Sequence, residues 1–151
     1  LRPDVVAAAA TGRFHVHAIT HIDQGIELLT GRKAGVRGSD GHFHAEMEVN
    51  GTLVRFMVDT GATDIVLSLR DAARVGIDTG SLDFSRRAQT ANGAVGVAPV
   101  RLGLVRLGGF SDTAVAASVS DGGLDSSLLG MAYLDRFAKI EISGDVMRLS
   151  R

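Results

Sequence analysis

The sequence predicts an all-β fold, and three observations predict it. Glycine is abundant and proline scarce, 19 against 2, with aromatic residues at 5%, a balance suited to short strands joined by glycine turns. In HFHAEMEV, residues 42–49, Phe43, Ala45, Met47 and Val49 alternate with His42, His44, Glu46 and Glu48, the period of a half-buried strand. Asn50-Gly51 follows, a two-residue hairpin signal, and TLVRFMV returns as the partner strand.

The later elements follow in chain order. Ser68 is placed to cap a short helix, LRDAARV, with Asp71 in its first turn and Gly76 just past its end. RAQTANGAVGVAPVRLGLVRL forms a long hairpin with Asn92-Gly93 at its tip. Gly108-Gly109 turns the chain into FSDTAVAASV, and a loop of Asp and Gly leads to SSLLGMAYLDRF, which contains a short amphipathic helix. KIEIS and VMRLS, separated by Gly144-Asp145, complete the chain.

Residues 1–40 differ from the rest. An Ala run, FHVHAITHID and the basic stretch GRKAGVRGSDG show no sustained period, although Ile22, Ile26 and Leu29 fit one face of a short helix. This segment is expected to be a flexible leader or linker, followed by one domain over residues 41–151. No internal repeat recurs at a fixed period, which argues against a solenoid.

Composition excludes several function classes. A chain of 151 residues, 45% hydrophobic and 22% charged, can bury one core. Sixteen basic and 17 acidic residues leave a net charge of -1, so no global field recruits nucleic acid or an anionic membrane. The absence of cysteine removes disulfides, thiolate nucleophiles and thiolate metal sites, and leaves the compartment open. No apolar run approaches the roughly 20 residues of a membrane span. Leu1 rather than Met as the first residue suggests a piece of a longer chain, so membrane attachment or a periplasmic location is expected only through a missing upstream segment.

Two further ligand classes lack support. GVRGSDG has no Gly-Lys-Ser/Thr ending of a phosphate loop. His15, His17 and His21, with His42 and His44, include two HxH pairs of potential ligands, yet no Cys or clustered Glu completes a set. No metal and no cofactor are expected.

The stretch FMVDTGATDIVLS, residues 56–68, carries the chemistry. It runs apolar residues into Asp59, passes Thr60 and Gly61, and returns at once to Ile65, Val66 and Leu67. A carboxylate between two apolar strands is costly to bury unless it is paired or hydrogen-bonded. Asp59 is therefore the first candidate for function.

DTGAT at 59–63, TANG at 90–93 and SLLGM at 127–131, in that order, resemble the retropepsin-like aspartic proteases, and within them the bacterial single-lobe group. The resemblance covers about residues 40–150. It implies a single-lobe acid-protease β-barrel with one or two short helices and an active site at a homodimer interface. Two Asp59 carboxylates, one per subunit, would face one water and share a proton, one acting as base and the other as acid. Thr60 would bond beneath the pair to the opposing loop, and Gly61 would let the backbone approach the carboxylate. Ala62, Thr63 and Asp64 would meet substrate, with Thr90, Ala91, Asn92 and Gly93 as a flap closing over an extended peptide. Leu128, Leu129 and Gly130 would pack behind the catalytic loop and hold it rigid. Asp64 departs from the pattern, since such sequences often carry an apolar residue there.

A second DTG, Asp78-Thr79-Gly80-Ser81, follows too soon to open a second lobe, and it leaves a helix rather than an apolar strand. A surface turn accounts for it. The expected function is an aspartic endopeptidase acting on protein or peptide substrates. The alternatives are a catalytically silent retropepsin-like domain used for dimerisation or peptide binding, and an unrelated small β-barrel module with a coincidental DTG.

Overall fold

The structure, a computed structural model, describes residues 31–90 and 93–151. Ten strands and two short helices follow one another as β1 (Arg32–Arg37), β2 (Phe43–Val49), β3 (Thr52–Val58), β4 (Val66–Leu67), α1 (Leu69–Arg74), β5 (Arg86–Thr90), β6 (Gly93–Leu107), β7 (Phe110–Ser120), β8 (Ser127–Leu129), α2 (Met131–Leu134), β9 (Lys139–Ser143) and β10 (Val146–Ser150). A 3-10 turn, Thr79–Ser81, lies between α1 and β5. Among the described residues no helix is long and apolar enough to cross a membrane.

Six strands close a barrel in the order β6-β7-β4-β8-β3-β2, with β2 returning to β6 through Glu48↔Arg106 and Val49↔Val105. Closure through β2 and β6 leaves none of the six barrel strands as a free edge, with β5 and the β1-β10-β9 strands extending the sheet beyond the barrel. The alternating apolar residues of β2 and β3 point inward. Met47, Val49, Val54 and Phe56 are wholly buried beside Leu67, Leu102, Val105, Leu129 and Tyr133. Each such side chain contributes roughly 1.5–3 kcal/mol by leaving water.

The expected turn chemistry is present. Asn50 and Gly51 have φ of 49° and 85°, the left-handed pair of a two-residue hairpin whose twist matches its strands. Asn50 does more than turn the chain. Its Oδ1 accepts from the backbone N–H groups of Gly103 and Leu104 at 3.0 and 3.1 Å, and its Nδ2 donates to the Val75 carbonyl at 3.3 Å. The β2–β3 turn is thereby tied to β6 and to the end of α1. Ser68 caps α1, accepting from the Asp71 N–H at 3.2 Å.

Two expectations change. RKAGVR, assigned above to the leader, is strand β1, antiparallel to β10 and, at its end, to β2 through Val36↔His44. Its pattern escaped notice because the register slips between Lys33 and Gly35, so Ala34 and Gly35 are buried in succession rather than in alternation. A Cβ on Gly35 would stand 2.8 Å from the His44 carbonyl oxygen, so only glycine fits this crossing. His44 likewise is not on a solvated face. It is 8% exposed, and its Nε2 bonds Asp40 Oδ2 at 2.8 Å, which holds the Asp40 carboxyl below its ordinary range. Residues 1–30, including His15, His17, His21 and the candidate face of Ile22, Ile26 and Leu29, lie outside the described residues.

Candidate active site

Asp59 stands where the apolar run of β3 ends. Strand β8 threads between β3, to which it is parallel with Val58 opposite Leu129, and β4, to which it is antiparallel with Val66 opposite Leu128. The segment from 59 to 65 therefore leaves one side of β8 and returns on the other. Its backbone is held at both ends. The Asp59 N–H donates to the Leu129 carbonyl at 3.1 Å, and the N–H groups of Met131 and Ala132 donate to the carbonyls of Ala62 and Thr63 at 2.9 and 2.7 Å.

Gly130 makes this approach possible. A Cβ there would collide with the Asp64 carbonyl oxygen and stand 2.6 Å from that of Ala62. Leu129 is fully buried behind the loop, and Leu128 is half-buried. Leu129 and Gly130 thus lie directly against the 59–64 loop.

The Asp59 side chain is oriented locally. Gly61 donates its N–H to Asp59 Oδ1 at 2.8 Å, and Ala62 donates to the Asp59 carbonyl at 3.2 Å. Asp59 and Ala62 are half-buried, whereas Thr60, Gly61, Thr63 and Asp64 are exposed. A half-buried carboxylate with one fixed oxygen and an accessible surface can hold a water or accept a proton from one.

The second DTG shows what the turn alone provides. Asp78 Oδ1 accepts from the Gly80 N–H at 3.1 Å, the same local bond as in 59–61. Asp78, however, caps an exposed 3-10 turn, and among the described residues no strand pairs with its backbone. Strand support separates the two sites.

The β5–β6 hairpin carries the other predicted residues. Thr90 Oγ1 donates to the Gly93 carbonyl at 2.7 Å across the tip, and Gly93 has φ of 111°, a region open to glycine. Ala91 and Asn92 lie outside the described residues. Further along β6, Asp121 clamps Gly96. Its Oδ1 accepts the Gly96 N–H at 2.8 Å while its own N–H donates to the Gly96 carbonyl at 3.0 Å. The carboxylate fills the space that a side chain on residue 96 would take.

Sequence reasoning missed this clamp, and it missed a buried polar network behind the site. Ser127 Oγ donates to Asp71 Oδ2 at 2.8 Å and accepts from the Ser68 N–H at 3.1 Å, while Arg74 donates to Asp71 Oδ1 at 2.9 Å. Burial raises the Asp71 pKa, but the bonds from Ser127, Arg74 and Ser68 and the Arg70 charge outweigh it, leaving the carboxyl below its ordinary range. The helix start is thus locked to β8, one residue before Leu128. A cleft of about 280 Å³ opens nearby between Ser68–Arg70 and residues 120–125, and none of the predicted site residues lines it.

The family described as "gag-polyprotein putative aspartyl protease" matches residues 45–136, more than half of the chain. The chain is a member of the retropepsin-like aspartic protease family. A crystal structure of a retropepsin-like aspartic protease from Rickettsia conorii superposes on this retropepsin-like chain with a TM-score of 0.68 and 41% identity, covering 76% of this chain and 86% of the other. The EIAV protease, at 18% identity and a TM-score of 0.55 over 66% of this chain and 90% of its own, shares the fold. An uncharacterized protein of Rickettsia prowazekii is 41% identical over 76% of this chain and 49% of its own length, and one of Sinorhizobium is 37% identical over 73% and 48%. The retropepsin-like chain spans about half the length of these curated relatives.

Proposed function

We propose that the chain is an aspartic endopeptidase that hydrolyses peptide bonds in protein substrates through a water held between the Asp59 carboxylates of two copies. The observation that carries this reading is the strand-anchored Asp59 with its Oδ1 fixed by the Gly61 N–H. Among the described residues it is the one DTG loop backed by a strand, so the second carboxylate comes from a second copy. Two like charges facing one water share a proton, which supplies a base to activate the water and an acid for the leaving amine.

The remaining residues have roles around that pair. Thr60 bonds to the opposing loop beneath the carboxylates, and Ala62, Thr63 and Asp64 border the peptide. Thr90, Ala91, Asn92 and Gly93 cover it, pairing with its backbone as added β-structure. Leu128, Leu129 and Gly130 keep the loop in register with the reacting atoms. No cofactor takes part.

The test is incubation of the full chain with an unstructured protein, followed by fragment analysis. The wild type is expected to cleave it, and Asp59→Asn to lose roughly 100-fold or more of the rate, the scale of a general acid–base contribution. Unchanged cleavage by Asp59→Asn contradicts the reading, and a folded dimer without cleavage supports the silent peptide-binding alternative.

A further inference from the structure

Strand β6 outruns its neighbour β7. Its pairing with β7 begins at Val97, opposite Ser120, so residues 93–96 pair with β5 alone among the described strands. Gly96 is therefore the point where the β5–β6 hairpin parts from the barrel. Two bonds close that point, from the Gly96 N–H to Asp121 Oδ1 at 2.8 Å and from the Asp121 N–H to the Gly96 carbonyl at 3.0 Å. The second uses backbone groups only. The first needs the carboxylate.

The surroundings aim the Asp121 side chain at β6. Ser120 is 3% exposed, and its Oγ accepts from the Gly122 N–H and donates to the Gly122 carbonyl, both at 3.3 Å, which folds the chain tightly around Asp121. Gly122 in turn packs against Val95, where a Cβ on residue 122 would stand 2.9 Å from Val95 Cγ1. Gly96 is buried, and a Cβ on it would fall within the Asp121 carboxylate, 2.8 Å from Cγ. The same loop then enters β8, whose Leu129 carbonyl holds the Asp59 N–H. The root of the hairpin and the Asp59 loop are thus joined through residues 121–129.

We propose that Asp121 is a positioning residue for the protease reaction, a latch that holds the β5–β6 hairpin in its peptide-covering position. It touches no reacting atom. The inference rests on the endopeptidase reading above and names the group that sets the position of its cover. A hydrogen bond to an ionised carboxylate is of the stronger class. Losing it lowers the fraction of molecules with the hairpin in place, and apparent affinity falls with that fraction while bound peptide reacts as before.

The test compares Asp121→Ala, Asp121→Asn, Gly96→Ala and the double variant Gly96→Ala/Asp121→Ala in the full chain. With a peptide substrate, Asp121→Ala is expected to raise KM roughly tenfold and to keep kcat within about twofold. Asp121→Asn, whose amide oxygen still accepts the Gly96 N–H, should stay near wild type. Gly96→Ala expels the carboxylate and should match Asp121→Ala. In the double variant the new methyl enters the space the carboxylate has left, so its KM should be no worse than that of either single variant. Independent effects would instead multiply. A double variant at the product of the singles, or an unchanged KM in Asp121→Ala, overturns the proposal.

Hydrogen exchange provides a second readout that needs no turnover. The residue-121 N–H keeps its Gly96 carbonyl partner in Asp121→Ala, so its exchange rate counts how often the hairpin root parts from the loop. That rate should rise roughly tenfold, while the Asn50 N–H, bonded at 2.8 Å to the Leu104 carbonyl further along β6, keeps its own. Equal acceleration at both positions, or none at residue 121, overturns the latch. The two readings fail separately. A chain that cleaves nothing yet shows the selective acceleration overturns the catalytic reading alone, and cleavage indifferent to Asp121→Ala overturns this one alone.

Discussion

Gly61 gives its N–H to Asp59 Oδ1 at 2.8 Å, and a Cβ on Gly61 would stand only 3.2 Å from that same oxygen. The contact is tighter than ordinary packing, so Gly61→Ala is expected to displace the carboxylate by a few tenths of an ångström. Because catalysis is steeply sensitive to placement, peptide turnover should fall roughly tenfold while the melting temperature barely moves. Steady-state kinetics and thermal unfolding of the variant check this. Equal loss of stability and turnover would make Gly61 a folding residue only.

Gly93→Val tests the hairpin. Gly93 adopts φ of 111° with open space around it, so the substitution costs backbone strain without a clash. The strain falls at the tip, far from the core. Peptide KM and kcat should both worsen while unfolding changes by less than about 1 kcal/mol. A loss of stability matching the loss of turnover would assign the hairpin to architecture.

Asp71 links stability to pH. Its folded-state pKa lies below the ordinary value of 3.8, so its bonds with Ser127 and Arg74 stabilise the protein fully above that value. The contribution is lost as pH falls from about 4 through the folded value, when the carboxyl protonates. Asp71→Asn should cost about 1–3 kcal/mol near neutral pH and flatten the acid limb of the stability curve, as read from urea unfolding across pH. An unchanged acid limb would show that other carboxylates set it.

Truncation distinguishes the two parts of the N-terminal segment. Removing residues 1–38 deletes β1, uncovers one side of β10 and frees the segment packed against His44, at a cost of more than about 2 kcal/mol. Removing residues 1–30 leaves all of these contacts in place. Comparing the two truncations with the full chain by thermal unfolding checks the boundary. Identical stability after the longer cut would return β1 to the role of a linker.

The alternation in residues 42–49, the two Gly-containing turns of the central hairpins and the Ser68 cap were legible because each depends on neighbours in sequence. The DTG loop was legible as a motif, but 78–81 makes the same local bond. What separates them is Leu129, seventy residues away, whose carbonyl accepts the Asp59 N–H. Contacts of that kind leave no local trace. Ser127 bonding to Asp71 and Asp121 clamping Gly96 pair residues of ordinary type across distant strands. Strand β1 was hidden by its register slip, and His44 by the assumption that a polar position on an alternating strand faces water.

Whether two copies share one active site is tested most directly by mixing. Wild-type chain is combined with Asp59→Asn at constant total concentration, allowed to exchange, and assayed for peptide cleavage. If every site needs one Asp59 from each copy, activity follows the square of the wild-type fraction, so an equal mixture retains about one quarter of it. Activity that falls in simple proportion, to about one half in the equal mixture, would mean that each chain works alone and would contradict the shared Asp59 pair.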